Sequence, residues 1–423
     1  MSRPMSTTAC GIDFGTTNST VGLCVRGAEP RLIPLEGHHL TIPSALFFSL
    51  EDGGTYFGRA AVFEYMDGAE GRFMRALKSI LGTSLMKETT QVGRDRMTFE
   101  GLIGRYLRHL REQIEGQEGG VPEAVVLGRP VRFIDEDDAA DAQAQGQLEA
   151  AARAEGFSHI EFQFEPVAAA LHYERLINGE ELALVVDIGG GTSDFSVLRL
   201  SPDRARDLDR SSDILSTAGV HVGGTDFDRQ LNIAKAMPHF GLGSGTKDGK
   251  RQLPVWYFND MATWHRINTL YTPKNARDIQ ALTREAAEPE KLDRYAHLLK
   301  YRSGHRLAAE VEKAKIALTD EDTTRIALTE PGLSLDVAVS RAEFDEATAD
   351  LVSRIGASIE DALAKAGVRA GDMSTVILTG GGALVPAVRA AAETRLPGAR
   401  FTAADQFGAV GLGLAIDAAR RFS

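Results

Sequence analysis

The sequence predicts an α/β chain built from two related halves. Two stretches carry that prediction. An apolar run from Leu182 to Val186 leads into Asp187-Ile188-Gly189-Gly190-Gly191-Thr192-Ser193-Asp194. Near the N-terminus, Cys10-Gly11-Ile12 leads into Asp13-Phe14-Gly15-Thr16-Thr17-Asn18-Ser19, and Thr20-Val21 opens a returning strand. Each is a short buried strand, an acid, a glycine turn with hydroxyls and a strand coming back.

Glycines in such a turn let the backbone adopt positive φ and approach a ligand closely. Successive main-chain N–H groups then form a concavity suited to phosphate oxygens. Asp13 and Asp187 would repel phosphate, so they make sense with a hydrated Mg²⁺ between carboxylate and phosphate. A single such turn also suits a plain β-hairpin. The repetition favours two phosphate hairpins that face each other and grip a nucleotide tail from both sides.

With these residues in view, the chain resembles the DnaK-type heat-shock 70 kDa chaperones. Their actin/hexokinase-like ATPase fold, a duplicated ribonuclease H-like architecture, has two lobes around a nucleotide cleft. Further matches follow in order: Leu77-Lys78-Ser79-Ile80-Leu81-Gly82, Glu165-Pro166-Val167-Ala168-Ala169-Ala170, Gly223-Gly224-Thr225-Asp226-Phe227-Asp228, Glu312-Lys313-Ala314-Lys315 and Gly380-Gly381-Gly382. An ordered series outweighs any one motif. Gly128-Arg129-Pro130-Val131 is more similar to the short YegD-type chaperone-like proteins.

Composition narrows the partners. A chain of 423 residues with 43% hydrophobic content can bury two sizeable cores. Net charge of −12 argues against nucleic acid or an anionic membrane as main partner. Two cysteines, Cys10 and Cys24, give no disulfide framework and fit a reducing, cytoplasmic setting, most simply as small buried apolar side chains. Met1 to Ala9 does not read as a secretion signal, and no apolar run reaches the ~20 residues of a membrane span.

In chain order, Val21–Val25 and Arg31–Pro34 read as strands around a Gly27 turn, and Thr41–Phe48 as one further strand. Arg72–Leu81 reads as a short helix stopped by Gly82. Phe99–Glu115 has helical spacing of Leu102, Ile103, Tyr106, Leu107, Leu110 and Ile114. Ala124–Leu127 is a buried strand, Asp138–Glu155 a helix by propensity, and Phe162–Phe164 a strand. Pro166 suits the first turn of the helix it opens. Ser201–Ser212 reads as an exposed charged loop and Gly241–Gln252 as a mobile one.

Between Asp228 and Glu312 the chain is longer than an ordinary DnaK-type domain. The added Trp256, Tyr257, Phe258, Trp264 and Tyr271 read either as a partner site or, more simply, as a satellite core. Arg306–Leu318 is a helix, Ser340 and Glu343 form a capping box for a helix to Ala366, and Thr375–Leu378 is a buried strand. Pro386 starts the next helix, and Asp405 precedes a final Gly- and Ala-rich helix. The expected lobes are 1–181, with 403–423 packing back on it, and 182–402, with an enlarged adenosine-side subdomain at about 230–320.

The resemblance implies a site for Mg-ATP or ADP, with K⁺ an open second cation. Gly15, Thr16, Thr17 and Asn18 on one side, with Gly189, Gly190, Gly191, Gly223 and Gly224 on the other, would hold phosphates. Asp13, Asp187 and Asp194 would hold the hydrated metal. Lys78 would neutralise the terminal phosphate, Glu165 position the attacking water and Thr192 help orient it. From residues alone, Lys78 could be a solvated surface lysine and Glu165 a carboxylate favoured at a helix N-terminus. Glu312 and Lys315 match positions that touch the ribose and base, and Gly380, Gly381, Gly382 and Asp405 match further nucleotide-binding positions. Ile316 and Leu384 stand where the family has Arg, so stacking worth ~0.5–2 kcal/mol is replaced by apolar contact.

The expected function is an Hsp70-like ATP-binding protein, a weak Mg-dependent ATPase in a chaperone-related role with no peptide-binding domain. Client proteins, a co-chaperone or an exchange factor would be its partners. A nucleotide-gated adaptor with little turnover is the alternative, as is a small-molecule kinase of the same fold; an actin-like filament former ranks below them.

Overall fold

The computed structural model describes residues 8–25, 28–92, 95–118, 122–134, 137–403 and 408–422. The chain divides into two units, Met1–Val220 with Ser358–Ala383 and Ala392–Ser423, and His221–Ala357 with Leu384–Ala391.

The first elements are β1 (Thr8–Phe14), β2 (Asn18–Val25), β3 (Arg31–Leu32), β4 (Thr41–Pro43), β5 (Ala45–Ser49), β6 (Thr55–Phe57), α1 (Gly58–Asp67) and β7 (Gly71–Arg75). Then come β8 (Thr89–Val92), β9 (Asp95–Thr98), α2 (Phe99–Glu118), β10 (Ala124–Arg129), α3 (Asp138–Ala154), β11 (His159–Phe164) and α4 (Glu165–Glu174). The duplicate follows as β12 (Glu181–Ile188), β13 (Ser193–Leu200) and β14 (Ile214–Val220). Helices α5 (Gly224–Leu231), α6 (Val255–Ala262), α7 (Pro273–Glu285), α8 (Pro289–Lys300) and α9 (Gly304–Ala317) precede the hairpin β15 (Thr323–Glu330) and β16 (Leu333–Ser340). The chain closes with α10 (Arg341–Ala366), β17 (Thr375–Thr379), α11 (Pro386–Arg395), β18 (Arg400–Ala403) and α12 (Ala409–Phe422).

The first unit holds two sheets of the same design. One has the order β11-β10-β1-β2-β3, with β4 also on β2; the other runs β18-β17-β12-β13-β14. In each, an antiparallel hairpin is followed by two parallel strands, β10 and β11 beside β1 and β17 and β18 beside β12. The duplication suggested by the two glycine turns is therefore a duplication of strand order.

Helices α4 and α12 share one core with β10, β12, β13 and β17, through Val126, Val167, Ala168, Val185, Leu198, Ile377 and Leu414. Small residues allow this. A Cβ on Gly413 would stand 1.8 Å from the Ala168 carbonyl oxygen of α4, and one on Gly11 would stand 2.4 Å from the α12 backbone. Helix α2 covers a second core, with Leu102, Ile103, Tyr106, Leu107, Leu110 and Ile114 all fully buried. Each such aliphatic side chain contributes about 1.5–3 kcal/mol.

Several expectations are corrected. Arg72–Leu81 is not one helix. Phe73 and Met74 pair with Phe47 and Leu46 in the β5–β7 ladder, Ala76 turns with φ of 56°, and only Leu77–Ile80 forms a single 3₁₀ turn. Thr41–Phe48 is two strands that part at Ser44, because β4 joins β2 while β5 joins β6 and β7. The strand expected over Arg31–Pro34 is limited to Arg31–Leu32, and Gly27 lies outside the described residues.

Ser201–Ser212 is not simply a solvated loop. Arg210 is wholly buried, bonded to both Glu174 oxygens at 2.8 and 2.9 Å and to Asp213, which Arg204 also meets. A charge that deep is tolerated because every partner is charged and bonded. Gly241–Gln252 is held rather than loose. Gly245 bridges Gln252, Thr246 bridges Ala286, and both Ser244 and Thr246 are buried.

In the second unit the added aromatics differ in burial, and Trp264 and Tyr271 are half-buried. Tyr257 and Phe258 are buried, with Phe258 edge-on to Tyr295 at 5.5 Å, while Trp256 is 46% exposed. The satellite core exists, and one indole stands outside it. The capping box forms as expected, Glu343 accepting from Ser340 N at 2.9 Å and Ser340 Oγ from Glu343 N at 3.3 Å.

Two outcomes follow. Gly413→Ala should lower thermal stability by about 1–3 kcal/mol through overpacking on α4. Gly146→Ala, in open space on α3, should be neutral or gain ~0.5–1 kcal/mol; paired thermal melts read both. Burial pulls the pKa of His305 from 6.5 down to about 4, against the opposing hydrogen bond to the Trp264 carbonyl. Its depressed pKa means the stability it contributes is full above pH 6.5 and is lost as pH falls toward 4. Denaturant titrations from pH 7 to 4 should therefore show a steeper decline for wild type than for His305→Gln.

Candidate functional site

Both glycine turns lie in the first unit, each closing a hairpin, β1–β2 and β12–β13. Asp13 pairs across to Thr20, and Asp187 across to Asp194. The turn after β12 is closed by Gly189 N donating to the Thr192 carbonyl at 3.0 Å. The turns touch: a Cβ on Gly190 would stand 2.5 Å from Thr17 Oγ1. Thr17 is anchored in turn by its carbonyl, which accepts from Ser44 N at 2.8 Å.

Lys78 enters from the 3₁₀ turn Leu77–Ile80 and is 8% exposed, its Nζ bonded to Glu165 Oε1 at the first residue of α4. Burial pushes the Asp13 carboxyl up to about 7, Glu165 adds to the rise and Lys78 opposes it. Asp187 is pushed up to about 8 by burial first, then by Asp194, Glu165 and Asp13, again against Lys78. Burial disfavours the Lys78 ammonium, yet Glu165, Asp13 and Asp187 together hold its pKa above the usual lysine value. Asp13, Lys78, Glu165 and Asp187 thus form one electrostatic cluster, with exposed Asp194 and Thr192 at its rim. Thr192 Oγ1 lies 3.4 Å from Asp194 Oδ2.

The glycines after β17 serve the second turn. Gly380 has φ of 79°, and a Cβ there would stand 2.3 Å from the Ile188 carbonyl oxygen and 2.8 Å from Asp187 Oδ1. Gly382 is equally close to Ile188. Gly15 needs its missing side chain too, because a Cβ would meet the Asn18 carbonyl oxygen at 2.1 Å. Thr16, Asn18 and Gly191 are exposed.

In the second unit, Gly223 caps α5, its N–H held by Asp226 at 2.9 Å, and Gly224 is the first helical residue. Lys315 bonds to the Gly224 carbonyl at 3.3 Å and to Asp228 at 2.8 Å, so it is anchored to α5. Glu312 is exposed and Ile316 is 56% exposed. Leu384 also belongs to that unit, and Asp405 lies outside the described residues.

Sequence reasoning missed Arg129 as a supporting residue. Its guanidinium lies between the Phe133 and Phe164 rings at 5.3 and 5.2 Å and binds Asp141 of α3 at 2.7 Å. It thereby braces the strand end that delivers Glu165. No local pattern announced this, because its partners come from three other segments.

A model of the Hsp70 protein family matches residues 9–237 and 279–420. The chain belongs to the Hsp70 family. It accordingly has the actin-like ATPase fold, and its paired sheets are the two copies within it. Among relatives, the chaperone protein DnaK of Mycoplasmopsis agalactiae is 28% identical over 91% of this chain and 54% of its own length. The DnaK of Mycoplasmopsis pulmonis is 26% identical over 90% and 53%. That of Deinococcus radiodurans is 26% identical over 97% and 59%. The chain spans about half the length of these curated relatives. Residues 238–278 fall between the two matched stretches of the Hsp70 pattern.

The turn contact has its own test. Gly190→Ala should destabilise the first unit, and Thr17→Ala should restore part of the loss, a coupling of about 0.5–3 kcal/mol in a double-mutant cycle. Additive effects would mean that the turns do not touch.

Proposed function

We propose that the chain binds Mg-ATP at the paired turns and hydrolyses it slowly, in a chaperone-related role. The observation that carries this reading is the contact of the Gly190 turn with Thr17, on hairpins whose Asp13 and Asp187 interact electrostatically with the Lys78–Glu165 pair. Two rows of main-chain N–H groups at that spacing suit a polyphosphate, and the buried lysine suits its terminal charge.

The acids fit a hydrated cation. Asp187 is held above its ordinary carboxylate range partly by Asp194, Glu165 and Asp13, a crowding of like charges that a divalent ion relieves. Among the described residues no three acids, histidines or cysteines converge closely enough to hold an ion directly. Mg²⁺ keeps several of its waters and can be held through them. Asp13, Asp187 and Asp194 would hold it; when bound, it supplies neutralisation of phosphate charge.

The chain's own residues do the rest. Lys78 rests on Glu165, and an arriving phosphate would draw the ammonium away from the carboxylate. Glu165, released, accepts a hydrogen bond from the water that attacks, and Thr192 helps orient it. This is catalysis by positioning and charge, with no covalent nucleophile. Ile316 and Leu384, where the family has Arg, exchange cationic stacking on the base for apolar contact, which lowers nucleotide affinity or loosens base preference. For the adenosine end, including Glu312 and Lys315, the proposal rests on the family resemblance alone.

Phosphate release by purified protein tests the reading. Wild type should release phosphate steadily, Lys78→Ala should lower kcat roughly a hundredfold, and Asp194→Ala should raise the Mg²⁺ concentration required. Retained thermal stabilisation by Mg-ATP in Lys78→Ala, with function intact in cells, would favour the adaptor. Neither stabilisation nor phosphate release at millimolar Mg-ATP would overturn the proposal.

A further inference from the structure

The second unit contains an open groove of about 630 Å³ lined by residues of α5, α6 and the segment after α6. It owes little to the Hsp70 pattern, because every lining residue except Arg229 lies within 238–278, the stretch that pattern does not match. Its main wall is one face of α6. Trp256, Asn259 and Asp260 recur there at helical spacing, with Thr263 as the residue that ends the helix, while Tyr257, Phe258 and Met261 turn into the core.

Two guanidinium groups are tethered to adjacent positions of that wall. Arg229 Nη2 reaches Asn259 Oδ1 at a long 3.4 Å, which leaves most of its donors for another acceptor. Arg266 Nε binds Asp260 at 3.0 Å while its side chain stays 58% exposed, so its outer nitrogens still face solvent. The Asp260 carboxylate offsets one of these two charges. Arg229 leaves the lining net positive in a chain whose net charge is −12. Trp256 stands 46% exposed beside them, backed by the Tyr257 ring at 3.7 Å. The segment between Gly241 and Gln252 cannot be credited with filling the groove, since none of it is among the lining residues.

We propose that this groove binds a planar aromatic ring carrying an anionic group, of the nucleoside monophosphate class. An exposed indole is a stacking platform for a base, and guanidiniums, of which the same wall carries two, bind phosphate oxygens well. Asn259 adds an amide nitrogen to the wall, while the Thr263 hydroxyl donates to the Asn259 carbonyl at 2.7 Å. The volume is in the range of small-ligand pockets, roughly 300–1,000 Å³. A peptide rich in acidic side chains would use the guanidiniums and leave the indole idle, so the ring-bearing ligand accounts for more of the wall. The site is separate from the glycine turns in its residues, and it stands whether or not those turns hydrolyse ATP.

Tryptophan emission tests it. The chain has two tryptophans, so Trp264→Phe leaves Trp256 as the sole reporter. Adenosine monophosphate should quench that emission saturably, and adenosine or inorganic phosphate should each bind at least about tenfold more weakly. Arg229→Gln with Arg266→Gln should weaken the quench at least about tenfold while circular dichroism and phosphate release stay as in the parent. Should the double variant fail to fold, Arg229→Gln alone carries the comparison. Absence of a quench at millimolar adenosine monophosphate, equal quenching in the arginine variants, or binding of polyglutamate in preference to the nucleotide would overturn the proposal. Loss of phosphate release with the quench intact would instead count only against the ATPase.

Discussion

The close approach of α12 to its neighbours governs the first unit. Gly413 lets the helix backbone rest on the Ala168 carbonyl of α4, and Gly11 and Gly22 let β1 and β2 come equally near. Side chains at these positions would force the layers apart. Because α4 and α12 share a core with strands of both sheets, their thickness sets the distance between the sheets. That distance in turn decides whether the turn carrying Gly190 reaches Thr17. Dense interiors transmit such small steric changes rather than absorbing them.

Electrostatics then acts on what packing has assembled. The cluster at the turns brings Asp13, Glu165 and Asp187 together with Lys78, and the acids outnumber the lysine. Burial and mutual repulsion raise both aspartates, so the group is poised to accept further positive charge. The buried Arg210 cluster shows the opposite solution. There each carboxylate has a guanidinium in direct contact, and the charges are satisfied within the protein. The contrast is between a cluster whose acids outnumber its one cation and a cluster whose charges are matched by direct contact.

Some of this was legible in the order of residues, and the reasons differ by element. The spacing of Leu102, Ile103, Tyr106, Leu107, Leu110 and Ile114 announced α2 because one face of a helix has a period readable locally. Arg72–Leu81 misled for the same cause. Its composition suits a helix, but pairing of Phe73 with Phe47 across β5 and β7 outweighs local preference. Ser201–Ser212 looked like a solvated loop because its charges are many, and only the distant Glu174 reveals that Arg210 is buried. The lining of the second-unit groove was half visible: the aromatics were noticed, whereas the periodic stripe on α6 and its two arginines were not.

The sequence by itself determined the family, the duplicated strand-and-turn device and the residue types at the turns. Those are properties of short contiguous stretches, where backbone freedom and side-chain chemistry are written directly. Tertiary structure alone decided that Gly190 lies on Thr17, that Lys78 holds Glu165, that Arg129 braces the strand before α4, and that Arg229 and Arg266 meet one face of α6. Each joins residues far apart in the chain or on separate elements. Such contacts depend on how helices and sheets pack, which no local pattern encodes.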